Sequence, residues 1–394
     1  MSEYIAKFDK DDLKTSGIPT QTFVNFFEKW AAGGFGLIST GMILLDENGR
    51  GMFPGNLIIG PNEDSDERHS DERREAFSKI PKAVKPFGSV IVGQLGNIAD
   101  VYRYFALEDV NNDKEVAEAL KDGIYAAKFL NDCGFDGASV SVFPGDFDKN
   151  KKLIKDLITF IRNEVKNPNF VVGIKLNTAR LQQAGTTVEE TFKIIDAINL
   201  NTARLQQAGT TVEETFKIID AINNAGYDFI EIGGGSYEFP ISTAADREDR
   251  YREIIHGAKK YATKTIVYIG GGIRRAKIME KLVVDGIVDG ICMARPVSAE
   301  FDIAAKIVGN HVPSTLVLPF EDDIMGGVLA AASQMNQAGQ KSYTESNRDV
   351  NDGIMNLNDP TTLERFNEAK ADFSAKLEAA KTEGKVLTGV IILK

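Results

Sequence analysis

Seven short apolar runs punctuate the chain, at Phe35–Thr40, Ser89–Gln94, Phe135–Val142, Phe170–Leu176, Tyr227–Ile232, Thr265–Ile269 and Ile287–Met293, with helix-period stretches between them. Runs this short and this apolar suit strands of a parallel sheet, because crossover helices bury both of its faces. Their alternation predicts an α/β fold, a (β/α)8 barrel of the TIM type. Such a barrel closes with eight strands, and only Met1–Ala6 precedes Phe35 as a candidate for the missing one. That segment is too short for a full strand. The expectation is therefore a barrel whose first strand is truncated, through a late start or a loss, with an unpaired edge as the consequence.

The second constraint is an internal repeat. Leu176–Asn199 recurs without a change as Leu200–Asn223, a 24-residue tandem duplication. Solenoids need three or more diverged units, so a single flawless copy is a recent or artificial event rather than a repeat fold. Each copy carries a capping box, Thr187-x-x-Glu190 and Thr211-x-x-Glu214, ahead of an apolar stripe, Val188/Phe192/Ile195 and Val212/Phe216/Ile219. Both copies read as helices. The ring of a barrel has room for one between the strands ending at Leu176 and Ile232, and we expect the second copy to take that place and the surplus helix to lie near the mouth. After the barrel, residues 1–310, the chain continues as a helical extension, residues 311–394. Leu363, Phe366, Phe373 and Leu377 give it an amphipathic helix within Pro360–Lys385.

Composition narrows the function classes. At 394 residues with 43% apolar and 26% charged content, the chain is long enough for one large barrel with appendages. A net charge of −11 opposes a phosphate backbone or an anionic membrane, so neither nucleic acid nor membrane is an expected partner. Asn62–Glu75, dense in charge of both signs, reads as a solvated loop and helix start. Cys133 and Cys292 both fall in segments that read as buried, which argues against a disulfide framework and for a reducing, cytoplasmic setting. No apolar run has the length of a signal peptide or a bilayer span. The sequence has no metal-ligand spacing, no Walker signature and no Gly-x-Ser-x-Gly elbow.

The chemistry concentrates at strand ends. Thr265–Ile269 runs into Gly270-Gly271-Gly272, and Ile287–Met293 into Ala294-Arg295-Pro296. Glycines there let backbone N–H groups approach an anion, and Arg295 adds a fork of donors, so Gly271, Gly272, Ala294 and Arg295 form a candidate phosphate cradle. A tight turn is the other reading of those glycines. Gln94 ends a strand with both a donor and an acceptor to offer, or serves as a surface amide. Lys175 ends another, where its ammonium can face the barrel mouth or snorkel at the rim.

Taken in order, Gly33-Gly34-Phe35-Gly36-Leu37-Ile38, Gln94-Leu95, Gly134-Phe135-Asp136-Gly137, Lys175-Leu176-Asn177, Glu231-Ile232-Gly233-Gly234-Gly235, Gly271-Gly272 and Ala294-Arg295-Pro296 resemble the old yellow enzyme family of FMN-dependent NAD(P)H oxidoreductases. The likeness runs from Met1 to about Gly309. It implies FMN as cofactor, NADH or NADPH as reductant and a small-molecule electron acceptor, with a homo-oligomer as a possible assembly. Carried over position by position, it implies flavin contacts from Ser2, Thr40, Gly41 and Gln94, phosphate contacts from the cradle residues, and a charge-stabilising role for Lys175.

The departures from the family are equally specific. The resemblance implies a pair of histidines, or a histidine and an asparagine, after the strand ending at Val140; this chain has Ser141 and Pro144 there. The loop that brings the family's tyrosine proton donor is cut short. Tyr237 is the remaining phenol by the mouth, as a proton donor or simply a packing aromatic. The three histidines, His69, His256 and His311, fall at no predicted strand end. Two other readings stay open: a non-catalytic relative that keeps the scaffold, and a flavin-free barrel lyase or isomerase using Glu231 as its acid or base.

Overall fold

The computed structural model describes residues 2–9, 15–45, 55–60, 71–96, 98–142, 147–177, 212–233, 252–320 and 323–393. In chain order its elements are α1 (Gln21–Ala32), β1 (Leu37–Leu44), β2 (Leu57–Ile58), α2 (Asp71–Val84), β3 (Val90–Gly96), α3 (Ile98–Ala106), α4 (Asp113–Ala119), α5 (Lys121–Asp132), β4 (Gly137–Val142), α6 (Phe147–Glu164) and β5 (Val171–Asn177). They continue as α7 (Val212–Ala225), β6 (Phe229–Gly233), α8 (Arg252–Tyr261), β7 (Ile266–Gly270), α9 (Ala276–Val284), β8 (Gly290–Cys292), α10 (Pro296–Ala299), α11 (Ile303–Val308), α12 (Ile324–Ala338) and α13 (Pro360–Thr382). All seven expected strands are present, as β1 and β3–β8. The eighth is β2, which follows β1 instead of preceding it, and the amino-terminal segment contributes an isolated parallel bridge between Tyr4 and Gly55.

The chain divides into two compact units: Met1–Gln94 with Phe129–Asp136 and Ala294–Lys394, and Leu95–Lys128 with Gly137–Met293. In the first, β2 pairs in parallel with β1 through Ile43↔Leu57 and Leu44↔Ile58. Arg73 on α2, fully buried, donates to Ile58 O at 2.5 Å and Ser16 O at 2.9 Å, tying this two-residue strand to the helix behind it. Helix α1 starts at a Thr20 N-cap whose side chain accepts from Phe23 N. It buries Phe23, Phe26, Phe27 and Trp30, and the Trp30 ring stacks on Phe301 at 5.2 Å while its Nε1 donates to Val297 O. The extension packs on the same helix. Asn25 donates to Gly339 O at 2.9 Å and buried Lys29 to Ala338 O at 2.8 Å, so α1 satisfies carbonyls that the end of α12 leaves without helical partners. Burial pushes the Lys29 ammonium below its ordinary range, against the pull of Asp352 and Asp349. Helix α13 turns Phe366, fully buried, into a cluster with Phe320, Leu329, Met355, Leu357 and Ile391.

In the second unit β4 to β8 pair in parallel in sequence order. Ile174, Leu176, Ile230, Ile232, Val267 and Ile269, all buried, alternate with Lys175, Glu231 and Tyr268, so one face is apolar and the other carries the polar groups. The second copy of the repeat supplies α7, which packs against α6 and α8 and leads into β6. The helix of the first copy lies outside the described residues. Register is set by a clasp used in both units: the aspartate before a strand accepts from a backbone N–H near the start of the preceding strand. Asp136 accepts from Ile91 N at 2.9 Å, Asp228 from Val172 N at 2.6 Å and Asp289 from Val267 N at 2.7 Å. Each carboxylate is also paired with a cation, respectively Lys85, Arg162 and Lys259.

Candidate functional site

In the second unit the register brings three side chains to one level on the polar face: Lys175 of β5 pairs with Glu231 of β6, and Glu231 with Tyr268 of β7. The Lys175 ammonium lies 3.0 Å from Glu231 Oε1, with both side chains partly exposed. Cys292 shares this face, two residues beyond Gly290, the partner of Tyr268. Burial pushes its thiol far up, Glu231 adds to the shift and Lys175 opposes it. One level earlier along the strands, the Phe229 ring meets Tyr268 edge-on at 5.8 Å. Gly173 makes room for it, since a Cβ there would lie 2.0 Å from the Phe229 ring. The result is the Phe229 ring at one level, the ion pair and Tyr268 at the next, and then the strand ends.

At those ends Gly271 and Gly272 adopt φ of 128° and 96°, conformations that other residues reach only with strain. The chain then enters α9 at Ala276. In the first unit, Ser2 is buried with its Oγ against Gly41, where a Cβ would lie 2.0 Å away, and Glu3 Oε1 accepts from Met42 N at 3.1 Å. Thr40, buried, accepts through Oγ1 from Gln94 N at 3.0 Å. Ala294 is exposed. Arg295 N-caps α10 and donates from Nη1 to Phe320 O at 3.4 Å, beside Gly327 and a small apolar cavity that Gln334 and Leu357 also line.

Tyr237, Pro144 and His69 lie outside the described residues. Ser141 is on β4, His256 on α8 and His311 just after α11. Among the described residues no group of three His, Cys, Asp or Glu side chains could hold a metal ion, and no helix is long and apolar enough to cross a membrane. The feature that sequence reading missed is the partnership of Lys175 with Glu231. Alternation within each strand marks both as polar residues on one face, but only the strand register makes them neighbours.

No family model matches the chain. It is 24% identical over 399 residues to the NADH-dependent flavin oxidoreductase nadA of Aspergillus parasiticus, across 86% of this chain and 81% of that protein. It is 21% identical over 362 residues to the NADH-dependent flavin oxidoreductase iliE of Hypocrea jecorina, across 75% and 82% of the two. Among solved structures, a 2-naphthoyl-CoA reductase superposes with a TM-score of 0.56 at 17% identity over 78% of this chain; the match spans about half, 49%, of the reductase. The old yellow enzyme homologue of Zymomonas mobilis gives 0.52 at 14% identity, over 81% of this chain and 90% of that one. TcOYE gives 0.52 at 12% identity, over 79% and 89%. The fold shared with these neighbours is the (β/α)8 class expected from the spacing of the apolar runs.

Proposed function

We propose that this chain, a relative of the old yellow enzymes, is an FMN-dependent oxidoreductase that moves hydride from NADH or NADPH to a small electrophilic acceptor. The observation that carries this reading is the similarity to flavin oxidoreductases across 86% of the chain. The residues present also fit the cofactor. The positive φ at Gly271 and Gly272 gives a stretch of backbone without side chains, as a phosphate requires, and Lys175 supplies a partly buried cation for a ring that gains negative charge. Bound FMN would supply the two-electron chemistry.

Within this reading Gly271, Gly272, Ala294 and Arg295 hold the phosphate. Gln94, Thr40, Gly41 and Ser2 serve the ring, with the Gln94 amide matching an edge that both donates and accepts. Lys175 stabilises the charge on the reduced cofactor, and Tyr237 is the candidate proton donor to the acceptor. With Ser141 and Pro144 in place of the family's clamp residues, carbonyl polarisation of an enone is weak, and reduction of the flavin by nicotinamide is the half-reaction that survives best.

A specific observation favours a second reading, a non-catalytic relative: the Arg295 guanidinium already donates to Phe320 O. Titration of the purified chain with FMN, followed by quenching of flavin fluorescence, separates the two. Uptake is expected, and Arg295→Ala should weaken it by about 1.5–3 kcal/mol, roughly ten- to a hundredfold. A chain that takes up no FMN supports the non-catalytic reading.

A further inference from the structure

We infer that Glu231 is a positioning residue for Lys175: its carboxylate fixes where the ammonium sits on the polar face and offsets part of the positive charge that face presents to a reduced cofactor. This rests on the flavin reading above. The two residues face each other on adjacent strands, their charged atoms are 3.0 Å apart, and the other faces of β5 and β6 are closed by buried Ile174, Leu176, Ile230 and Ile232. Phe229 occupies the level below and Tyr268 stands on the far side of Glu231 at the same level, so aromatic rings flank the pair. In a partly desolvated setting a charge so close is screened far less than on an open surface. The cation that the flavin reading uses is therefore one half of an ion pair, and the carboxylate tunes it.

The test uses the full chain loaded with FMN and inorganic sulfite as the probe, because sulfite binding to the flavin generates an anion that a nearby cation stabilises. Glu231→Gln keeps shape and an acceptor for the Lys175 ammonium but removes the offsetting charge. Sulfite should bind about tenfold more tightly to this variant, read from loss of the visible flavin band. Lys175→Met should weaken sulfite binding, and in that background Glu231→Gln should have a much smaller effect, which is the coupling expected of a residue that acts through another. Equal sulfite affinity in the parent and Glu231→Gln overturns the inference, and so does an undiminished effect in the Lys175→Met background. A merely structural Glu231 would lower the melting temperature and leave sulfite affinity in place.

A flavin-free arm separates failure of this inference from failure of the flavin reading. The Lys175 ammonium and Glu231 carboxylate are 3.0 Å apart, so in the unloaded chain urea unfolding of Lys175→Met, Glu231→Gln and the double variant should give losses that do not add, the double variant losing less than the sum of the two. A chain that takes up no FMN overturns the flavin reading. Losses that simply add overturn the ion pair itself.

Discussion

Asp100 is a buried carboxylic acid of the second unit with a second carboxylate, Asp122, beside it. It lies on α3 with its side chain fully buried, accepts from Gly123 N at 2.6 Å, and pairs with Arg103, which also reaches Asp122 at 2.6 Å. Burial, then the neighbouring Asp122 charge, pushes its carboxyl up to about 7, while Arg103 and the Gly123 N–H pull the other way. The unfolded chain releases this proton near the ordinary 3.8, so between those values the folded state holds a proton that the unfolded state has lost. Stability must then fall as pH rises through that window. A gap of about 3 pH units corresponds to about 4 kcal/mol, fully present as a penalty above about pH 7 and absent below about pH 4. Asp100→Asn removes the charge, keeps an acceptor for Gly123 N and leaves Arg103 its Asp122 partner. Urea unfolding at a series of pH values should show the variant gaining on the parent by about 4 kcal/mol from acid to neutral pH. Parallel pH profiles, or a variant less stable than the parent at pH 8, would refute the reasoning.

Deleting Leu200–Asn223 leaves Val188–Asn199, identical to the segment of α7 that packs, to fill the same place, and shortens the connection after β5 from residues 178–211 to residues 178–187. The loop-closure term favours the shorter chain by about 1 kcal/mol, so scanning calorimetry should show a higher melting temperature; a lower one would give the extra copy a role of its own. Phe366→Ala empties the centre of the cluster around α13 and should cost about 3–5 kcal/mol by urea unfolding. Gly173→Ala puts a methyl 2.0 Å from the Phe229 ring and should destabilise by about 1–3 kcal/mol, with Phe229→Leu in the same chain recovering part of the loss.

Seven of the eight strands were legible because each is an apolar run long enough to have a period. Strand β2 was not: Leu57-Ile58-Ile59 is a run of three apolar residues between Gly55-Asn56 and Gly60-Pro61, held there by Arg73 from a different element. The clasp aspartates Asp136, Asp228 and Asp289 fall inside the expected runs, one residue before the strands begin, and nothing local marks them as clasps or says which amide each would reach. The site divides in the same way. Strand-end residues such as Lys175, Gly271 and Gly272 could be named from position alone, because alternation and glycine content are local properties. Pairing of Lys175 with Glu231 depends on register across strands whose connection contains the repeat. The contact of Arg295 with Phe320 depends on where the extension returns. Long-range partners are fixed by packing, which a single sequence read along its length does not display.

The central claim is that the chain binds FMN and accepts hydride from a reduced nicotinamide. The most direct measurement is the visible absorbance spectrum of the FMN-loaded chain before and after anaerobic addition of NADH, and separately of NADPH. The account predicts flavin bands that bleach with at least one of the two. Bands that persist with both reductants, or a chain that leaves FMN free in solution, would contradict it.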